Sequence, residues 1–397
     1  MLFLVGLLLI PCWVIGVLYE VDILTAYDVI SRIPTDLGGI YGSPIRGLLG
    51  RYFYPPFTLV FFSPLSGLSF PVFKYVWLAL QTLSYGVVWW CLVKLFPQLF
   101  RNTARVFWVW IIAINPLHNN FQSNNIQIWL GALLLLAELL SRRPDFWGPF
   151  LAGLLVALTT HIKVYPLFLV VYYFISAGKV MRVGLLSGLV GFALLPLLFF
   201  GPNKGADLYR SFFLNLTTYS AENSPIQVSD ILCLPSLIAR LLDGSPLALF
   251  AGAFTKVITV VASATFFLWC FRTRLRRDQW VLAWLLMALL NPSTRVHYFV
   301  FLIPAFAYWA ERVSFQRPLD LTLYALSILL VAFTMEGVVG KALNNRLEYW
   351  NLPTWGIVIL AIGVVTNLMR ASPNAHNDDE NRQSEAIPGK HLEPRSA

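Results

Sequence analysis

Apolar runs of near-spanning length recur along almost the whole chain, each bounded by proline, glycine or charge. A bilayer-crossing helix needs roughly 20 mostly apolar residues. Many such runs, rather than one, predict an all-α, polytopic membrane fold. The pattern predicts about twelve transmembrane helices, both termini cytoplasmic, and a long first outer loop from Tyr19 to about Pro71. The pieces Phe57 to Leu68 and Val72 to Leu95 could be two crossings. Two would leave Lys94, Arg101 and Arg105 outside, so the shorter, proline-flanked piece is expected to lie at the interface. The first run opens at Met1 without a basic segment or a small-residue cleavage site, and is expected to be a membrane helix. Residues 1–370 are expected to form one membrane domain, and the polar residues 371–397 a disordered cytoplasmic tail.

Composition agrees with this class. Of 397 residues, 57% are hydrophobic and 12% charged, against roughly 25% charged in a soluble domain. Fourteen Trp and sixteen Tyr suit the headgroup level, where their rings are favoured. The net charge of +9 is no nucleic-acid footprint, because most of the 29 Lys and Arg sit in short connectors between apolar runs. Those connectors mark the cytoplasmic face: Lys94 with Arg101 and Arg105, Arg142 and Arg143, Lys179 and Arg182, Arg272 to Arg277, and Arg312 with Arg317. The four cysteines, Cys12, Cys91, Cys233 and Cys270, have no zinc or disulfide spacing.

Between these markers the chain must turn on the other face, at Asn115 to Asn125, Thr159 to Tyr165, Gly201 to about Pro246, Asn291 to His297 and Glu336 to Pro353. The polar residues of the turns carry the candidate chemistry. The first outer loop opens with Glu20, Asp22, Tyr27 and Asp28. Such carboxylates either face water at a helix end or include a general base for an acceptor hydroxyl. The turn Asn115 to Asn125 holds five Asn with Gln122 and His118. Amides donate and accept together, as sugar hydroxyls require, though Asn also favours ordinary turns. Lys163 stands on a face where cations are sparse. It either snorkels at the rim or holds a phosphate, whose growing charge it would stabilise in a transition state. Arg295, with His297 two residues on, repeats the theme at a second turn.

Together these places resemble glycosyltransferase family 87, which includes polyprenyl-phosphate-mannose-dependent alpha-mannosyltransferases. The resemblance runs from about Tyr19 to Pro304. It is carried by Asp22 and Tyr27 after the first helix, by the Tyr-x-x-Pro-Pro segment Tyr52 to Pro56, and by Gln122 and Asn124 of a Gly-Gln-x-Asn motif. Lys163-Val164-Tyr165-Pro166 and the segment Asn291 to His297 complete it. Phe121 stands where the family has glycine, Asn291 and Arg295 replace a small residue and an aromatic, and Asp22 and Tyr27 are spaced wider than expected.

The resemblance implies a GT-C fold and an inverting transferase using a polyprenyl-phosphate sugar, with an envelope lipid or glycan as acceptor. It implies Asp22 as base, with Asp28 as its rival, and Lys163 with Arg295 or His297 on the departing phosphate. Gln122, Asn124 and Tyr27 would meet the sugar. No cofactor or obligatory metal is expected, since no carboxylate cluster has Mg or Mn spacing. The expected location is the plasma or inner membrane. The sugar is expected to be a hexose, mannose first, with arabinofuranose as an alternative. A lipid or sugar transporter is the rival class. Transporters show internal repeats and polar groups at mid-bilayer; here no repeat is evident and the polar groups gather at one face.

Overall fold

A computed structural model of the chain describes residues 14, 16–17, 21–41, 52, 54–222, 231–273, 278–313, 317–334 and 339–370. The side chains of residues 21, 22, 25, 218–222, 249 and 273 lie outside that description. The described residues are helical, with no strand among them. In chain order the helices are α1 (Val21–Arg32), α2 (Phe57–Phe62), α3 (Phe70–Leu95), α4 (Thr103–Gln122), α5 (Gln127–Ser141), α6 (Trp147–Ile162), α7 (Leu167–Ser176) and α8 (Lys179–Phe200). Then follow α9 (Pro202–Glu222), α10 (Leu234–Leu242), α11 (Ala251–Thr273), α12 (Gln279–Leu290), α13 (Ile303–Arg312), α14 (Pro318–Ala332), α15 (Lys341–Tyr349) and α16 (Leu352–Arg370).

Four helices, α3, α8, most of α11 and α16, are long and apolar enough to cross a membrane. On α11, Val257, Val260, Val261 and Leu268 all face outward. A helix that is apolar on its exposed side belongs in lipid rather than water. By contrast α2 has six residues, about 9 Å of rise, too short to cross. Its Phe57, Leu59 and Phe62 are buried against the bundle. The segment 371–397 and most of the first apolar run lie outside the described residues.

Small residues set the closest helix pair. Gly153 and Ala157 on α6 face Gly184 and Gly188 on α8, so the backbones touch. A Cβ at Gly188 would come within 2.6 Å of the Ala157 Cβ, and one at Gly184 would strike the Phe150 carbonyl. Close approach through small-xxx-small stripes is the usual route to tight packing in lipid, where dispersion and not hydrophobic exclusion drives association. Position 150 meets 184 and position 157 meets 188, so the two helices run parallel. The intervening α7 must therefore return the chain. It is only ten residues long, and extended residues at Lys163 and Ala177 supply the remaining length.

The basic connectors gather at one end of the bundle. Arg105 donates to the carbonyls of Glu311 and Val313, at 2.6 and 3.3 Å. Arg312 pairs with Asp278 at 2.9 Å, and Arg370 with Asp320 at 2.8 Å. Arg142 pairs with Glu138, which also accepts from the Tyr173 hydroxyl.

Two expected turns are structured differently. Residues Asn115 to Phe121 continue α4 despite Pro116, and the break is confined to residues 123–126. The Asn115 amide donates to the Val331 carbonyl at 2.9 Å, giving a buried polar side chain a partner across the bundle. The long segment from Gly201, expected as an outer turn, holds α9 and α10. On α9, Gly205, Leu208, Phe212 and Asn215 form a buried stripe at helical spacing.

Candidate functional site

At the opposite end from the basic connectors, three other chain segments converge on Lys163. The residue sits in the break between α6 and α7 with extended backbone, φ −142° and ψ 140°. Its ammonium donates to Asn125 Oδ1 at 3.3 Å. The same nitrogen lies 5.1 Å from the Tyr54 ring centre and 5.2 Å from that of Tyr298. Both distances are within cation–π range. Asn125 Nδ2 in turn meets His297 Nε2 at 3.4 Å.

Each wall of this site is held from behind. The Tyr52 hydroxyl and Thr58 Oγ1 are 2.6 Å apart, and Thr58 also donates to the Pro55 carbonyl at 2.6 Å. The Tyr41 hydroxyl donates to the Tyr54 carbonyl at 2.7 Å. Asn215 of α9 donates to the Tyr41 carbonyl at 2.7 Å, tying this segment to that helix. Tyr298 packs against Tyr165, whose hydroxyl donates to Gln127. The Asn291 turn is closed by its own side chain, which accepts from the Ser293 amide and hydroxyl. Leu232 donates its amide to the Thr294 carbonyl at 2.7 Å.

Charge at the site is set by burial and by two cations. Lys163 and Arg295 are half-buried, whereas His297 is buried. Burial, then the neighbouring Lys163 and Arg295, hold the His297 imidazole well below its ordinary range. Desolvation penalises the charged form of a base, and nearby like charges add to that. Among the described residues, no three His, Cys, Asp or Glu side chains come together as a metal site.

The predicted site residues separate into those brought to this cluster and those placed elsewhere. Lys163, Arg295 and His297 are together. Asn124 is buried with φ +50°, and its amide is used internally. It donates to the Gly16 carbonyl at 3.2 Å and accepts from Gln81 at 3.5 Å, while its carbonyl takes the Trp77 indole at 2.9 Å. Gln122 is half-buried at the end of α4. Tyr27 packs its ring on Phe70 and Phe73. Asp28 is ion-paired with Arg32 at 2.6 Å. The backbone of Asp22 belongs to α1, but its side chain lies outside the described residues.

Helix α1 nonetheless lies at the Lys163 end. Tyr27 touches Phe73, Phe73 touches Trp77, and Trp77 donates to Asn124, the neighbour of Asn125. Asn125, Tyr54 and Tyr298 are the members that sequence reading did not assign. Tyr54 lies within the Tyr-x-x-Pro-Pro segment and Asn125 within a run of amides, yet neither position announces a contact with Lys163.

A model of glycosyltransferase family 87 matches residues 52–294. The match takes in Tyr54, Asn125 and Lys163 and stops just short of Arg295 and His297. The chain is also 27% identical over 298 residues to a polyprenol-phosphate-mannose-dependent alpha-(1-2)-phosphatidylinositol pentamannoside mannosyltransferase of Mycobacterium tuberculosis (strain CDC 1551 / Oshkosh). That similarity covers 71% of this chain and 63% of the relative, so the chain spans less than two thirds of the relative's length. With a family model covering well over half its length and the Lys163 cluster inside the matched region, the chain belongs to glycosyltransferase family 87.

Proposed function

We propose that the protein is an integral membrane glycosyltransferase. It moves a hexose, mannose first among the candidates, from a polyprenyl-phosphate donor to an envelope glycolipid or glycan. The chain crosses the cell membrane about twelve times in a GT-C arrangement, and the reaction takes place at its non-cytoplasmic face. The observation that carries this reading is the half-buried Lys163 ammonium, walled by Tyr54 and Tyr298 at the end of the bundle that also holds α1.

In the proposed step the acceptor oxygen attacks the anomeric carbon as the bond from that carbon to the phosphate oxygen breaks. Asp22 takes the acceptor proton, and the polyprenyl phosphate leaves with the bonding electrons. In-line attack inverts the anomeric centre. Lys163, backed by Arg295, holds the phosphate as it gains charge, which lowers the barrier more than it stabilises bound donor. Gln122 and Tyr27 remain candidates for the sugar. The internal bonds of Asn124 favour Asn125 as the amide nearest the donor. The Arg32 pair engages Asp28, which favours Asp22 as the base.

The relative's printed specificity supports mannose as the first donor to try. Purified protein in lipid discs, given radiolabelled polyprenyl-phosphate mannose and a membrane lipid extract, should yield a labelled product. Transbilayer flux of the labelled donor without any covalent product would instead identify a transporter.

A further inference from the structure

Asn125 sits between an ammonium and an imidazole, and the chemistry of its neighbours fixes which way its amide points. A lysine ammonium only donates. The carboxamide oxygen must therefore face Lys163, as it does at 3.3 Å. The NH2 group is then left facing His297 Nε2 at 3.4 Å. An amide nitrogen donates and does not accept, so Nε2 must carry a lone pair. Oxygen and nitrogen of an Asn are otherwise an arbitrary assignment; here the lysine removes the ambiguity. An imidazolium carries protons on both nitrogens and would meet this NH2 proton to proton.

We propose that Asn125 is a positioning residue that holds the Lys163 ammonium in place and fixes His297 as a neutral, Nδ1-protonated imidazole. On this assignment, which rests on the glycosyl-transfer reading, Lys163 and not His297 supplies the charge beside the donor phosphate. The groups facing His297 agree. Lys163 comes from the α6–α7 break, Arg295 and Tyr298 from its own segment, and Tyr165 stands behind Tyr298. The two charged members are both cations, and burial acts in the same direction.

The pH profile of donor KM tests this. In the wild type, donor KM should stay flat between about pH 5.5 and 7.5, because no imidazole charge enters or leaves the site. Asn125→Asp places a carboxylate against both partners. It should raise donor KM roughly tenfold at neutral pH by competing for Lys163. That loss should shrink on acidification, as His297 takes a second proton or the new carboxylate takes one. Asn125→Ala should raise KM without pH dependence, because it frees the tautomer while burial and the two cations still keep His297 neutral. A merely structural Asn125 would lower folded yield and move no pH profile. The assignment is overturned if wild-type donor KM falls as pH drops through the ordinary histidine range, or if the Asp and Ala variants share one profile.

A second readout needs no turnover. In 15N-histidine-labelled protein, the resonances lost in His297→Gln should show a protonated Nδ1 and a bare Nε2 across the same pH range. Two protonated nitrogens at about pH 6.5, the ordinary histidine value, overturn the proposal. Absence of transfer from any lipid-linked sugar would count against the enzyme reading, while these resonances would still decide the tautomer.

Discussion

Asn124 and Asn125 are chain neighbours that the backbone sends in different directions. The left-handed turn at Asn124, φ +50°, puts one amide among Gly16, Gln81 and Trp77 and the other against Lys163. Replacing Asn124 with Ala leaves buried partners unsatisfied, which costs about 1 to 3 kcal/mol. Its thermal unfolding midpoint should drop, with donor KM moved less than in Asn125 variants. The opposite pattern would make Asn124 a ligand contact. His297 gives a linkage prediction with a definite sign. Its pKa is depressed in the folded protein from about 6.5 in the unfolded chain. Below that value the unfolded state binds a proton the folded state does not. Its contribution is therefore present above about pH 6.5 and lost as pH falls toward the folded value. His297→Gln should flatten the acid-side decline of the unfolding midpoint, and an unaltered decline would assign it to other groups. Lys163 was legible in the sequence because a cation stood on a cation-poor turn. Asn125 was not, because five amides in one stretch look alike until one φ angle sorts them.

At the scale of elements, the pair α6 and α8 positions the site, since Lys163 caps the C-terminal end of α6. The backbones meet through Gly153, Ala157, Gly184 and Gly188. Gly184→Val drives a side chain into the Phe150 carbonyl, and overpacking of this kind costs about 1 to 3 kcal/mol. Gly191 on the same helix has open space around it, so Gly191→Val is the matched control. A lower unfolding midpoint for Gly184→Val alone is expected, and equal effects would mean the contact is not limiting. Helix existence was readable from apolar run length, but ends were not. Asn115 reads as turn chemistry locally, yet it continues α4 and its side chain finds a partner in the Val331 carbonyl on α14, 216 residues away. Helix α9 was legible in principle, as the spacing Gly205, Leu208, Phe212, Asn215 is helical. Its polar surroundings made the stretch look like a loop.

For the whole molecule, the parallel course of α6 and α8 and the gathering of Arg105, Arg142, Arg312 and Arg370 at one end agree with the charge pattern of the connectors. The other end carries Lys204, Arg210, Arg240 and Arg346, spread over segments 201–246 and 336–353 rather than gathered in tight connectors. A membrane-impermeant maleimide applied to intact cells should therefore label Lys204→Cys and spare Arg143→Cys. With Cys12 first replaced by Ser, the remaining cysteines, Cys91, Cys233 and Cys270, are buried, which keeps the background low. Labelling of Arg143→Cys instead would invert the proposed orientation. The most direct test of the account is transfer from radiolabelled polyprenyl-phosphate mannose by wild type and by a folded Lys163→Ala variant. Loss of a charge that stabilises a leaving phosphate should lower turnover by about 100-fold or more. A Lys163→Ala protein that transfers the sugar at the wild-type rate would contradict the account.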